Sequence, residues 1–291
     1  MKAAPDCIPC YLKQVLSTLR AAGANESEQR RILYSLFPLI SRLDPEKSPA
    51  ENSSLVLFEA YRLLGESDPF SEAKAASNRL ARSFLPALER VIGFSEDPLL
   101  TACRVAVAGN VIDMGIMPGF DVGASIEEEL ARSFSRCDYG LLRASLQEGG
   151  TLVVIGDNSG EIYFDYLLLA RLREFTKDLY YVVKGGPILN DATLADAEEA
   201  GIPLLARVVP TGNNYLGIIP ELCSDDFVSL VRRAHLVLSK GQANYETLEG
   251  TSFAGTKTFF LLRAKCPVVA GCLGVKLGES VLVQNRVREG G

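Results

Sequence analysis

Hard oxygen donors and amines gather at four places in this sequence, each time directly after a short apolar run. After Val154 and Ile155 come Gly156, Asp157, Asn158, Ser159, Gly160 and Glu161. After Val182 and Val183 come Lys184, Gly185 and Gly186, and a few residues later Asn190 and Asp191. After Leu238 and Ser239 come Lys240, Gly241, Gln242, Ala243, Asn244, Tyr245 and Glu246, and the apolar run over residues 256–262 is followed by Arg263 and Lys265. Asp157 and Asp191 offer carboxylates and Asn158 a side-chain carbonyl. This donor set suits Mg²⁺ or Mn²⁺ better than a structural zinc. Lys184, Lys240 and Lys265 are cations of the kind that hold a phosphate. Gly156 and Gly160 permit a tight bend between strand and helix. The helix starting at Ser159 would offer free N–H groups to an anion. A divalent cation, lysines and a helix N-terminus together describe an anion-handling site, most simply a phosphate site.

These segments act together only if the apolar runs lie side by side. Residues 151–155, 179–183, 203–208, 236–239, 256–262 and 267–270 read as strands. They alternate with helical stretches at 162–172, 193–200 and 225–233. That alternation predicts an α/β domain with a mostly parallel sheet. Ligands in such sheets bind beyond the carboxyl ends of the strands, which would put the four polar segments on one rim. The first half reads helical. Leu12, Val15, Leu16 and Leu19 are spaced as on a helix, as are Ile32, Leu33, Leu36, Phe37 and Ile40, and again Leu80, Phe84, Leu88 and Val91. Breaks rich in Gly, Pro, Ser, Asn or Asp fall at 22–25, 44–49, 65–69 and 95–98. A further helix is predicted over 99–112, with a Gly/Pro turn at 114–119. The expected architecture is a helical region over residues 1–148 preceding a Rossmann-like three-layer domain over 149–291.

Each polar segment also has a plainer reading. Asp157, or Asn190 with Asp191, would serve as helix caps. Lys240 and Gly241 would form an ordinary turn, and Lys184 would be a solvated charge. Glu161 and Asp165, at i and i+4, share a helix face whether they flank a metal or face water. Coincidence at four strand ends favours the site over four separate structural explanations.

Composition narrows the partners. The chain has 291 residues, 47% hydrophobic and 23% charged, with a formal charge of −6. Nucleic-acid and anionic-membrane binders are usually basic. The most apolar stretch, near 259–275, is interrupted by Arg263 and Lys265, so no membrane span is expected. Seven scattered cysteines do not resemble a disulfide framework, and a cytoplasmic protein with reduced thiols is expected. Cys7 and Cys10 form half of a zinc site, a redox pair, or simply a packed pair on the first helix. His235 is the only histidine and precedes an apolar strand, so a structural role is expected and histidine-base chemistry has little support. Tyr163, Phe164 and Tyr166 are read as core and helix-face residues.

The four strand-end segments, with Cys7-Ile8-Pro9-Cys10-Tyr11 and the stretch from Ala108 through Asn110 to Asp113, resemble the metal-dependent damage-control phosphatases. The cysteine pair is similar to that of the family's prokaryotic branch. The resemblance runs over essentially the whole chain. It implies an α/β fold with an N-terminal helical region and divalent-metal phosphatase activity on small phosphorylated metabolites such as sugar phosphates. It would place the metal on Asp157, Asn158 and Asp191, and phosphate and substrate on Lys240, Gly241, Asn244 and Lys265. Glu161 and Glu246 would lie close by, and Asn110 and Asp113 would contribute from the helical part.

The expected reaction is metal-assisted hydrolysis of a phosphomonoester. Asp157, Asn158 and Asp191 would hold Mg²⁺, Mn²⁺, Co²⁺ or Ni²⁺, and Lys240 and Lys265 would neutralise the transferring group. Asp157, Glu161, Lys240 and Lys265 are the expected catalytic residues. Asn110, Asp113, Ser159, Gly160, Lys184, Gly241, Asn244 and Glu246 are expected to bind substrate. Asp157 as a covalent nucleophile is disfavoured, because Ser159 stands where aspartate-nucleophile phosphatases carry a second Asp. Two other classes stay open: a protein that binds a nucleotide or phosphometabolite without hydrolysing it, and an S-adenosylmethionine-dependent carboxyl methyltransferase. No Gly-x-Gly loop follows the first strand to support the latter or a dinucleotide enzyme.

Overall fold

A computed structural model describes residues 1–109 and 122–287. Asn110, Asp113, the turn expected at 114–119 and the end of the helix expected to reach 112 lie outside the described residues.

The N-terminal helices begin where the sequence supplies caps. Asn25 accepts a hydrogen bond from the Glu28 N–H at the start of α2 (Glu26–Ser35), and Asp97 accepts from Leu100 N–H at the start of α6 (Pro98–Ala108). Ser48 accepts from Glu51 N–H ahead of α4 (Pro49–Leu64), which stops at a left-handed Gly65. With α1 (Cys7–Ala21), α2 and α4 close a small core of their own around Val15, Leu19, Ile32, Leu36, Val56 and Leu57. Ile188 and Leu216, from loops at the edge of the sheet, complete that core. The first helices are therefore seated on the sheet's rim.

The sheet has seven strands: β1 (Arg136–Cys137), β2 (Leu152–Ile155), β3 (Leu179–Val183), β4 (Arg207–Pro210), β5 (Leu236–Lys240), β6 (Thr258–Arg263) and β7 (Ser280–Gln284). Their order is β1-β7-β6-β5-β2-β3-β4, parallel from β6 through β4, with β7 antiparallel to β6. The chain moves outward from β2 to β3 and β4, then crosses back to β5 and β6. The reversal falls between β2 and β5, where a crevice opens beyond the carboxyl ends. Side chains alternate between the two faces. Val154, Tyr181, Leu238 and Phe259 meet α5 (Ser71–Gly93), α6 and α9 (Glu161–Leu172). Val153, Ile155, Val237 and Phe260 meet α11 (Asp225–Arg233), α12 (Gln242–Leu248) and α13 (Pro267–Leu273). With the shorter helices α3 (Phe37–Ile40), α7 (Val122–Ala131), α8 (Tyr139–Glu148) and α10 (Leu194–Glu199), the result is a three-layer α/β fold. Among the described residues, no helix is long and apolar enough to cross a membrane.

Three local expectations change. Residues 267–270 belong to α13 rather than to a strand, because the Cys266 thiol accepts from Val269 N–H at 3.4 Å and Pro267 opens the first turn. The strand expected at 203–208 starts only at Arg207, since residues 202–204 form a short 3₁₀ turn with Pro203 inside it. The stretch before residue 149 also holds β1, which forms one edge of the sheet by pairing with β7.

Phe164 is fully buried on α9 between the sheet and α6. Phe164→Ala is expected to lower unfolding free energy by about 3–5 kcal/mol in urea denaturation, the usual cost of emptying a phenylalanine site.

Candidate active site

Two loops are stitched together by their backbones at the reversal point. Ala192 N–H donates to Asp157 O at 2.9 Å, and Ser159 N–H donates to Asn190 O at 2.8 Å. These bonds form an antiparallel bridge between Asn158 and Asp191, outside the main sheet. The oxygen donors singled out in the sequence thus arrive at one point from two loops. Asp157, Asn158 and Asp191 are 7%, 6% and 4% exposed. Asn158 Nδ2 donates to Asp157 Oδ2 at 3.3 Å. Lys184 Nζ lies 3.6 Å from Asp191 Oδ2 and donates to Gly217 O at 2.6 Å. Asp191 Oδ2 itself is buried and accepts no hydrogen bond. Leu189, two residues before Asp191, has φ of 44°, a strained conformation for a branched residue. The Tyr61 hydroxyl of α4 accepts its N–H at 2.9 Å.

A second charged group stands behind Asp157. Lys240 is fully buried, and its ammonium donates to both Glu161 and Asp165. Tyr181 OH donates to the other Asp165 oxygen at 2.6 Å. Burial pushes Glu161 and Asp165 up from the ordinary carboxylate range, with Lys240 opposing. Burial alone would depress Lys240, but the two carboxylates raise it, so it stays charged. Counted as ions, Asp157, Glu161, Asp165 and Asp191 exceed Lys184 and Lys240 by two negative charges in a buried region, a surplus to be met by protons or by a cation. Burial, aided by Asp157 and opposed by Lys184, pushes Asp191 to about 7.

A cavity of about 400 Å³ opens over this floor. Asp157, Asn158 and Asp191 face it from the sheet, with Gln242 and Glu246 of α12 and Lys265. Cys7, Tyr11 and Gln14 of α1 and Ala50 and Ser53 of α4 form the opposite wall. Gln242 links two of these groups, donating to Glu246 Oε1 at 2.9 Å and accepting from Lys265 N–H at 2.9 Å.

The expected site residues therefore separate into three sets. Asp157, Asn158, Asp191, Glu246 and Lys265 line the cavity. Lys240, Glu161, Lys184 and Asn244 are buried braces in this structure. Lys240 is engaged by carboxylates rather than presented to the cavity. Asn244 Nδ2 ties β2 to β5 by donating to Gly156 O at 3.0 Å and Lys240 O at 2.7 Å. The helix N-terminus after Ser159 does not offer free donors. Ser159, Gly160, Glu161 and Ile162 N–H groups are taken by Asn190 O, Asn78 Oδ1, Ser159 O and Asn158 O. Gly241 serves by its shape: φ is +83°, and a Cβ there would lie 2.1 Å from Asp157 Oδ2. His235 stands apart, its Nε2 3.2 Å from Ser145 O. Cys7, Cys10 and Cys266 line the cavity as free thiols. The sequence reading missed Tyr11, Gln14, Ala50, Ser53, Asn78 and Gln242. Of these only Tyr11 and Gln242 lie inside the segments singled out above, where neither was given a role.

Residues 3–281 match the damage-control phosphatase ARMT1-like domain. The chain belongs to this family. It is 32% identical to a damage-control phosphatase of Pyrococcus horikoshii over 293 residues, covering 99% of this chain and all of that one. It is 32% identical to a damage-control phosphatase of Archaeoglobus fulgidus over 297 residues, covering 97% of this chain and 98% of that one. The crystal structure of a DUF89 family protein from P. horikoshii superposes with a TM-score of 0.90 over 98% of this chain and all of that one, at 32% identity. The damage-control phosphatase fold thus extends over the helical wall as well as the sheet.

Two measurements follow from the geometry. Gly241→Ala forces the Asp157 carboxylate to move. It is expected to cut phosphatase kcat/KM about a hundredfold in steady-state assays while circular dichroism stays native. Glu246 is pushed to about 7, chiefly by burial, from the ordinary glutamate value of 4.5. The unfolded chain loses this proton from about pH 4.5 and the folded chain only near 7. Stability therefore falls as pH rises through that window. Glu246→Gln is expected to be more stable than the unaltered protein at pH 8 by up to about 3 kcal/mol, and no more stable at pH 4, in urea titrations.

Proposed function

We propose that this protein is a divalent-metal-dependent phosphomonoesterase acting on small phosphorylated metabolites. The observation that carries this reading is the cavity floor, where two carboxylates and one carboxamide from two stitched loops share a buried region with two negative charges in excess. The donor set fits a hard divalent cation. All three groups can offer oxygen, Asp191 Oδ2 accepts no hydrogen bond, and one +2 ion balances the surplus. Asp157, Asn158 and Asp191 would hold Mg²⁺, Mn²⁺, Co²⁺ or Ni²⁺. When bound, such an ion supplies Lewis-acid polarisation of a phosphoryl oxygen and acidifies a water molecule.

The chain's own residues provide the rest. Lys265, exposed on the cavity rim, attracts and steadies the dianionic phosphate. Lys184, anchored on the Gly217 carbonyl, stands beside the Asp191 carboxylate and favours its ionised form against the pull of burial. Lys240, Glu161, Asp165 and Tyr181 fix the base of the Asp157 loop without touching substrate. Glu246, with its proton affinity near neutrality, can take a proton from an incoming water or return one to the leaving alcohol. The wall from α1 and α4 receives the rest of the metabolite. The relatives named damage-control phosphatases support hydrolysis over simple binding.

Chelation with EDTA is expected to abolish release of phosphate from a generic aryl phosphate, and excess Mn²⁺ to restore it. Asp157→Ala is expected to lose at least about a thousandfold in kcat. Lys265→Met is expected to raise KM about tenfold with a smaller effect on kcat. Undiminished turnover by the chelated protein, or by Asp157→Ala, contradicts the proposal.

A further inference from the structure

Asn78 lies far from the sequence segments that build the site, on α5, and is 1% exposed. Its Oδ1 accepts from Gly160 N–H at 2.7 Å. Its Nδ2 donates to Asp196 Oδ1 at 3.1 Å and Glu199 Oε2 at 3.0 Å. Asp196 in turn accepts through Oδ2 from Thr193 N–H and Thr193 Oγ1, both at 2.8 Å, and pairs with buried Lys74 at 2.9 Å. Gly160 closes the loop that carries Asp157 and Asn158. Thr193 closes the loop that carries Asp191 and opens α10 (Leu194–Glu199). One amide therefore spans both loops from behind the cavity. Its orientation is fixed by chemistry, since only its oxygen suits an N–H and only its NH₂ suits two carboxylates. No other residue type of this size does both. An aspartate would set a third carboxylate against Asp196 and Glu199, and a leucine would strand the Gly160 N–H.

The structure assigns to Asn78 the role of a positioning residue that sets the spacing between the two oxygen-bearing loops, with Lys74 holding the Asp196 end shut. This rests on the metal reading above, because the spacing matters most when one ion must be reached from both loops. A displacement of a few tenths of an ångström in either loop is felt in the coordination distances.

The test is calorimetric titration of Mn²⁺ into the full metal-free chain, with thermal unfolding recorded alongside. The variants are Asn78→Asp, Asn78→Leu and the double variant Asn78→Asp with Glu199→Gln. Both single variants are expected to weaken Mn²⁺ binding at least tenfold. The double variant is expected to recover at least half of the lost binding free energy, because an amide at 199 donates back to the new carboxylate while Lys74 still faces Asp196. Restored affinity separates positioning from general destabilisation, which lowers the melting temperature without selective rescue. If Asn78→Leu fails to fold, Asn78→Asp and its rescue decide. Single variants that bind Mn²⁺ within threefold of the unaltered protein overturn the assignment. An unaltered protein that takes up no Mn²⁺ overturns the metal reading first, and the assignment with it.

Discussion

A surplus of negative charge held out of water is the constraint around which this molecule is built. Carboxylates at the carboxyl edge of a parallel sheet repel one another strongly once burial removes the solvent screen. The fold accepts this because backbone bonds between the loop after β2 and the loop after β3 leave the side chains nowhere else to go. Lys184 and Lys240 offset part of the charge from the flanks, and both lie inside the protein. The remainder faces the cavity, where a cation or a proton can meet it. Burial raises the proton affinities of Asp191 and Glu246, and the charge of Asp157 adds to both.

Labour is divided between the two halves of the chain. The sheet supplies charge and rigidity, and its helices α9 and α12 carry the braces. The small core of α1, α2 and α4 supplies the opposite wall and the volume of the cavity. That core is closed by Ile188 and Leu216, which belong to the sheet's own loops. The Ser54 hydroxyl of α4 accepts from Leu216 N–H at 2.8 Å and secures the contact. Shape of the substrate side and chemistry of the floor are thus joined through one seam, consistent with a family match that runs through both.

Much of this was legible in the sequence, for a physical reason. A short apolar run followed by glycine and hard donors is a local signal, and a parallel sheet aligns every such end on one rim. Asp157, Asn158, Asp191, Glu246 and Lys265 were found that way or through the family resemblance, and all five face the cavity. Lys240, expected to neutralise the transferring group, is engaged by two carboxylates in this structure, and the alternation of β5 already points it that way. Leu236, Leu238 and Lys240 share one strand face, and that face packs on α9, where Glu161 and Asp165 stand one turn apart. The Gly160 N–H looked free because its acceptor, Asn78, comes from a helix about eighty residues earlier. Helix α4 escaped notice because Asn52, Ser53 and Ser54 interrupt its apolar pattern and are buried through hydrogen bonds instead. Long-range polar pairing leaves no periodicity to read.

The most direct measurement is anomalous scattering from a crystal grown with Mn²⁺. The account predicts a peak bounded by oxygens of Asp157, Asn158 and Asp191 at about 2.1 Å, as for hard divalent ions of this size, with Lys240 still turned away toward Glu161 and Asp165. Manganese bound elsewhere, with those three side chains uncoordinated, would contradict it.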